Sequence, residues 1–182
     1  YQRTIAFDAT DLETVSSGQK LTFRKTEPIG NAPVVGDADC PEGYEFAGWY
    51  SDAGWDSATD SDGNKYAKPR GKQIFKRNGQ PTGDWDYLTA TGLFDKADSG
   101  KVFALIVPKH FSVRFFSRDG TSEYADLSFS TYYGATNHFP VKPANAPSRA
   151  EGWFTEKRAS EGIYRSYHNF GATMDTRYNN SG

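Results

Sequence analysis

The chain has 182 residues, enough for one large domain or two small ones. Its formal charge of -2, from 21 basic and 23 acidic residues, excludes the basic excess that marks nucleic-acid or anionic-lipid binding. No apolar run approaches the roughly 20 residues of a membrane span, and the single Cys40 excludes an internal disulfide framework.

Thr4-Ile5-Ala6-Phe7-Asp8 alternates apolar and polar residues, which predicts a first strand. Tyr1 stands at its start and no signal peptide is visible, so the chain is expected to be an excised fragment or a mature product. Leu21-Thr22-Phe23 reads as a second short strand, and Pro28, Pro33 and Pro41 break the stretch that follows. Cys40 lies in Asp39-Cys40-Pro41 with no basic neighbour to lower its pKa, so an unreactive thiol is expected.

Next comes the most informative stretch, Gly43-Tyr44-Glu45-Phe46-Ala47-Gly48-Trp49-Tyr50-Ser51-Asp52. After it, residues 54–92 hold Trp55, Tyr66, Phe75, Trp85 and Tyr87 among many polar residues. Within that segment Lys72-Gln73-Ile74-Phe75-Lys76-Arg77 followed by Asn78-Gly79 predicts a strand running into a hairpin turn. Leu93-Phe94-Asp95, a turn at Asp98-Ser99-Gly100, and an apolar strand Val102-Phe103-Ala104-Leu105-Ile106-Val107 close the first half.

The second half follows the same plan. Phe111-Ser112-Val113-Arg114-Phe115-Phe116 matches the first strand and Leu127-Ser128-Phe129 the second. Pro140, Pro143 and Pro147 precede Ala150-Glu151-Gly152-Trp153-Phe154-Thr155-Glu156, which carries Gly-Trp-aromatic, a hydroxyl residue and an acid, as the first half does. Phe7 stands 42 residues before Trp49, and Phe115 stands 38 before Trp153. Phe170, then Thr173-Met174-Asp175 and Thr176-Arg177-Tyr178, match the tail from Phe94 onward. Trp49 to Phe94 is 45 residues and Trp153 to Phe170 is 17, so the first copy carries an insertion of 28 residues within 54–92. The reading is mainly β or α+β: two tandem small repeat domains, 1–108 and 109–182.

On the motif Gly43 to Tyr50, with Leu93-Phe94-Asp95 and Val102-Phe103-Ala104 behind it, the chain resembles the Listeria–Bacteroides repeat, the B-repeat of internalin-type bacterial surface proteins. The second copy keeps Gly152-Trp153-Phe154 but has Ser148-Arg149-Ala150 where the family pattern has Gly-Tyr-x-Phe. The resemblance implies a β-grasp-like domain, a mixed sheet curled around one crossing helix or extended segment. It implies residence on a bacterial cell surface or wall in tandem arrays, with neighbouring repeats of the same chain as partners, and it implies no catalytic residues.

Gly48, Trp49, Tyr50, Gly152, Trp153 and Phe154 are therefore expected to be structural anchors, with exposed sugar platforms as the other reading of the two Trp residues. The aromatics of the insertion, Trp55, Tyr66, Trp85 and Tyr87, are the ligand candidates. Gly83-Asp84-Trp85-Asp86-Tyr87 alternates acids with aromatics, which suits a sugar- or protein-binding rim. The other reading is a mini-core that holds the insertion onto its domain.

Chemistry is sparse. His110, His138 and His168 lack the short spacing of a metal site on one element. Asp56, Asp60, Asp62, Gly63 and Asn64 fit a calcium loop only in part. With Gly63 at position 6 of an EF-hand, positions 1 and 12 are Ala58 and Pro69. Ser61-Asp62-Gly63-Asn64 then reads as a polar turn. No Gly-x-Ser-x-Gly, P-loop or dinucleotide fingerprint occurs. The expectation is a non-enzymatic extracellular stalk or adhesion segment without cofactor or metal, meeting host or cell-wall proteins or glycans. A carbohydrate-binding accessory domain of a secreted glycosidase and a surface-filament subunit are the alternatives.

Overall fold

The computed structural model describes residues 1–10, 12, 15, 17–117, 120–158 and 163–175. The chain is mainly β and divides into two compact units, Tyr1–Lys109 and His110–Gly182.

The first unit contains β1 (Gln2–Asp8), β2 (Lys20–Arg24), a 3-10 turn (Asp37–Asp39), β3 (Tyr44–Tyr50), β4 (Trp55–Thr59), β5 (Lys65–Pro69), β6 (Gln73–Phe75), helix α1 (Trp85–Ala90) and β7 (Ser99–Pro108). Five strands form one mixed sheet in the order β2-β1-β7-β3-β6. The parallel pair is β1 with β7, from Thr4 opposite Ser99 to Asp8 opposite Phe103. The apolar β7 takes the centre because its Val102, Ala104 and Leu105 can all be buried there. Alternation along β1 buries Ile5 and Phe7 on the same face.

Strand β3 departs from simple alternation. Phe46 and Trp49 are three residues apart, yet both are buried. The register against β7 shifts between Phe46, opposite Ile106, and Gly48, opposite Leu105, so Ala47 is the extra residue of a bulge. The bulge resets the period and turns both large rings inward.

The segment 54–92, within which the insertion falls, is built of an antiparallel hairpin, β4 with β5, then β6 on the sheet edge, then α1. The expected hairpin turn at Asn78-Gly79 is present, with Gly79 at φ 82° and Phe75 bridged to Pro81. The alternating acids and aromatics of 83–87 form a helix start rather than an extended rim. Asp84 is its cap, accepting from the Tyr87 amide at 2.9 Å.

The second unit contains β8 (His110–Val113), a 3-10 turn (Ala125–Leu127), β9 (Phe129–Tyr132), β10 (Thr136–His138), β11 (Gly152–Arg158), β12 (Ile163–Asn169) and β13 (Thr173–Asp175). They pair antiparallel as β8-β9, β11-β12 and β10-β13. Phe115, Phe139 and Met174 form its core, with Val113, Phe129 and Trp153 packed on them.

Three expectations need correction here. The strand matched at 111–116 ends at Val113. Leu127 and Ser128 belong to the 3-10 turn and its end, so the second strand begins only at Phe129. Thr173–Asp175, set against the turn at 98–100, is a strand paired with β10. The expected strand at 176–178 lies outside the described residues.

Candidate functional site

The two Gly-Trp motifs are packing anchors in their own units. Trp49 is fully buried, with Phe7 edge-on at 4.9 Å between ring centroids. Its indole N–H donates to the Pro33 carbonyl at 3.2 Å. Trp153 is half-buried, with Phe115 at 4.8 Å, and its N–H donates to the Pro140 carbonyl at 2.9 Å. A buried indole needs such a partner, and a proline-broken segment offers a carbonyl not used in a ladder.

The glycine before each Trp admits the neighbouring strand. A Cβ on Gly48, at φ 129°, would stand 2.7 Å from the Phe75 carbonyl. One on Gly152 would overlap the His168 carbonyl. Phe75 and His168 are the residues opposite Trp49 and Trp153. Tyr50 is half-buried and Phe154 is 47% exposed.

The four ligand candidates do not converge. Trp55 faces Pro69 across the hairpin while Tyr66 faces Ala58. Positions 55 and 58 differ by an odd number, so the two aromatic rings project from opposite faces. Trp55 is half-buried and its N–H donates to the Ile106 carbonyl at 3.0 Å, which clips the hairpin to β7. Arg70 closes the hairpin base, donating to Asp56 at 3.0 Å and to the Trp55 carbonyl at 3.2 Å.

Trp85 and Tyr87, two apart on α1, also point to different sides. Trp85 packs on the first core, edge-on to Phe23 at 5.6 Å. Tyr87 is exposed and lies over Gly83, where a Cβ would come within 2.5 Å of the Tyr87 ring.

Sequence reasoning missed the group beside Trp85. The Arg3 guanidinium lies 4.7 Å from the Trp85 ring and 4.4 Å from that of Phe94, between the two. It is held by Asp98 at 3.3 Å and by Thr89. Tyr1 donates to the same Asp98 oxygen at 2.7 Å, and this hydrogen bond raises its phenol pKa. No local signal could reveal the cluster, because Arg3 and Asp98 meet only through the parallel pairing of β1 and β7.

Trp85 also lines an open groove of about 460 Å³. Pro28, Ile29 and Pro81 give it apolar walls, and Lys25, Glu27, Asp84 and Asp86 give it charge. Lys25 and Asp86 are 3.9 Å apart and largely exposed, so their pairing contributes little to stability. A half-buried indole beside carboxylates and an ammonium offers apolar contact and hydrogen-bond partners to a sugar ring.

The remaining reactive groups are engaged structurally. Burial, then Asp37 and Asp39, push the Cys40 thiol up, which keeps it protonated. The Asp60 carboxylate accepts from the Asp62 amide at 2.9 Å and the Asn64 amide at 2.8 Å, closing the β4–β5 turn. The histidines stand on β8, β10 and β12; His110 packs on Tyr132 and His168 stacks on Phe139. Among the described residues no His, Cys, Asp and Glu cluster could hold a metal ion, and no helix is long and apolar enough to cross a membrane. No family model, curated protein or solved structure matches the chain.

Proposed function

We propose that this chain is a non-catalytic segment of a bacterial surface protein, made of two tandem copies of one β module and serving as a stalk or adhesion spacer. The observation that carries the reading is the repeated anchor. In each unit a Phe, a Trp and a proline carbonyl meet in the same way, at 4.9 and 3.2 Å in one and 4.8 and 2.9 Å in the other.

A second coincidence supports it. The Thr4 and Thr22 hydroxyls meet at 3.1 Å, and those of Ser112 and Ser130 at 3.4 Å. Both pairs are separated by 18 residues, and Phe7 and Phe115 follow three residues after the first member. This alignment sets Thr22 against Ser130, two residues beyond the match made from sequence. The Gly43 to Tyr50 motif, which resembles the internalin-type repeat, argues for the extracellular bacterial setting. Most of the large aromatics serve packing, which suits a spacer better than a catalyst.

Single-molecule stretching of the chain tests the reading. Two independent unfolding steps are expected, with contour gains of about 370 Å for Tyr1–Lys109 and about 250 Å for His110–Gly182 at roughly 3.4 Å per residue. One cooperative step for the whole chain would sink it. The groove beside Trp85 favours a second reading, a carbohydrate-binding accessory domain. That reading requires glycan-array binding that Lys25→Ala weakens and that leaves the melting temperature unchanged; a flat array removes it.

A further inference from the structure

The turn that follows β6 holds a reactive pair. Asn78-Gly79 is the one Asn-Gly step in the sequence. Its chemistry is intramolecular. The Gly79 backbone nitrogen can attack the Asn78 side-chain carbonyl carbon and close a succinimide ring, because glycine has no Cβ to hinder the approach. The new N–Cγ bond replaces the Cγ–Nδ2 bond, and the Gly79 amide proton leaves with the departing nitrogen as ammonia. Water then opens the ring at either carbonyl. One product is aspartate. The other is isoaspartate, in which the main chain runs through Cβ and Cγ and gains a methylene.

The folded turn holds both reactants in other bonds. The Lys76 N–H donates to the Gln80 carbonyl at 2.8 Å, and the Gly79 N–H to the Lys76 carbonyl at 2.9 Å. With Gly79 at φ 82°, this is the three-residue hairpin loop that ends in a left-handed glycine. The Asn78 side chain is committed to Gln80. Its Oδ1 accepts from the Gln80 amide at 3.1 Å, and its Nδ2 donates to the Gln80 Oε1 at 3.2 Å. Ring closure needs the Gly79 amide proton removed, yet Gly79 is buried and that proton is given to Lys76. Asn78 itself is exposed, so only opening of the turn separates it from reaction.

The same turn seats the Trp49 anchor. The Gly79 carbonyl accepts from the Ala32 amide at 2.8 Å, and a Cβ on Gly79 would stand 2.7 Å from the Ala32 carbonyl. Ala32 belongs to the first core, and the next residue, Pro33, supplies the carbonyl that holds the Trp49 indole. A methylene added between residues 78 and 79 displaces Gly79 from a contact without slack. The displacement reaches Trp49 through Ala32 and Pro33.

We infer that Asn78-Gly79 is a self-modification site that the folded turn keeps closed. When the turn opens, Asn78 converts to isoaspartate, and the first unit can no longer restore the Ala32–Gly79 contact. Each opening therefore carries a chance of becoming irreversible. The inference stands on the first unit alone and is independent of the two-copy reading.

The test uses the whole chain, incubated at mildly alkaline pH in buffer or in guanidinium chloride. Peptide mass mapping follows the gain of one mass unit at residue 78, and enzymatic methylation of isoaspartate separates the two products. Modification of Asn78 is expected to be at least tenfold slower in the folded chain. In the unfolded chain it is expected to outpace every other Asn. After denaturant is removed, the isoaspartate form is expected to lose the buried Trp49 indole resonance in NMR spectra. Asn78→Asp adds the charge without the methylene and is expected to keep that resonance. Equal rates in folded and unfolded chains overturn the inference, as does faster modification of another Asn. So does an isoaspartate form that regains the Trp49 resonance. Loss of the resonance in Asn78→Asp as well would assign the effect to charge and overturn the backbone argument.

Discussion

Replacing Gly48 by alanine tests the reasoning about the Gly-Trp anchor most directly. Two penalties act together there. The backbone sits at φ 129°, where an L side chain is strained by about 1–3 kcal/mol. The new Cβ would also stand 2.7 Å from the Phe75 carbonyl and 2.6 Å from the Gln73 side-chain nitrogen. Gln73 can swing away, but its 2.9 Å bond to the Ala47 carbonyl is then lost, at about 1 kcal/mol. The Phe75 carbonyl belongs to β6 and cannot yield without disturbing its pairing with β3, at about 1–3 kcal/mol for overpacking. The sum is about 3–7 kcal/mol, a large part of a small domain's stability.

Gly63→Ala is the matched control, because Gly63 has φ 85° with nothing within 4 Å of a new Cβ. It carries only the left-handed strain, about 1–2 kcal/mol. The smaller freedom of alanine in the unfolded chain affects both variants alike. Urea unfolding followed by tryptophan fluorescence should place Gly48→Ala at least about 2 kcal/mol below Gly63→Ala. In a scanning calorimeter that gap is worth roughly 10 °C for a domain of this size. Equal losses in the two variants would refute the close-approach argument.

Other expectations concern the sheet and the two indoles. Asp8 has its carboxyl pKa lowered to about 2, first by the hydrogen bond from Lys101 at 2.6 Å and then by that from Thr10. A lowered folded-state pKa gives stability that is present above the unfolded value near 4 and is lost as pH falls through 2. Lys101 is more than half exposed, so solvent screening reduces the effect to about 1 kcal/mol. Asp8→Asn should therefore cost about that much at pH 7, progressively less below pH 4 and least below pH 2 in urea titrations; a gap that does not change with pH would contradict the assignment. Trp49→Phe should cost about 2–4 kcal/mol, since it opens space in a closed core and strands the Pro33 carbonyl. Trp153→Phe should cost less, because water can reach the Pro140 carbonyl beside a half-buried ring. Thermal melts of the two variants settle the order.

The candidate site was harder to read than the strands. Trp55, Tyr66, Trp85 and Tyr87 could be nominated from their composition and their place in a long insertion. Their directions could not. Trp55 and Tyr66 separate because register in a hairpin sets facing, and register depends on the turn that Asp60 closes. Trp85 and Tyr87 separate because the acid-aromatic alternation that suits an extended rim equally suits a helix once Asp84 caps it. A short segment of mixed period does not choose between the two. Arg3, which fills the space between Trp85 and Phe94, carried no signal at all.

Local properties of the chain determined its β class, the strands β1, β2 and β7, the turn after β6, and the role of Gly48-Trp49 as an anchor. Period-two alternation, proline and glycine punctuation and the absence of a side chain act over a few residues, so they can be read without knowing what lies opposite. Tertiary structure decided the rest: the bulge at Ala47, the parallel seat of β7 beside β1, the Arg3–Asp98 cluster and the groove at Trp85. It also decided that β8 and β11 stand as separate ladders. Each of these depends on contacts between residues distant in sequence, whose pairing follows from which strand wins the centre of a sheet.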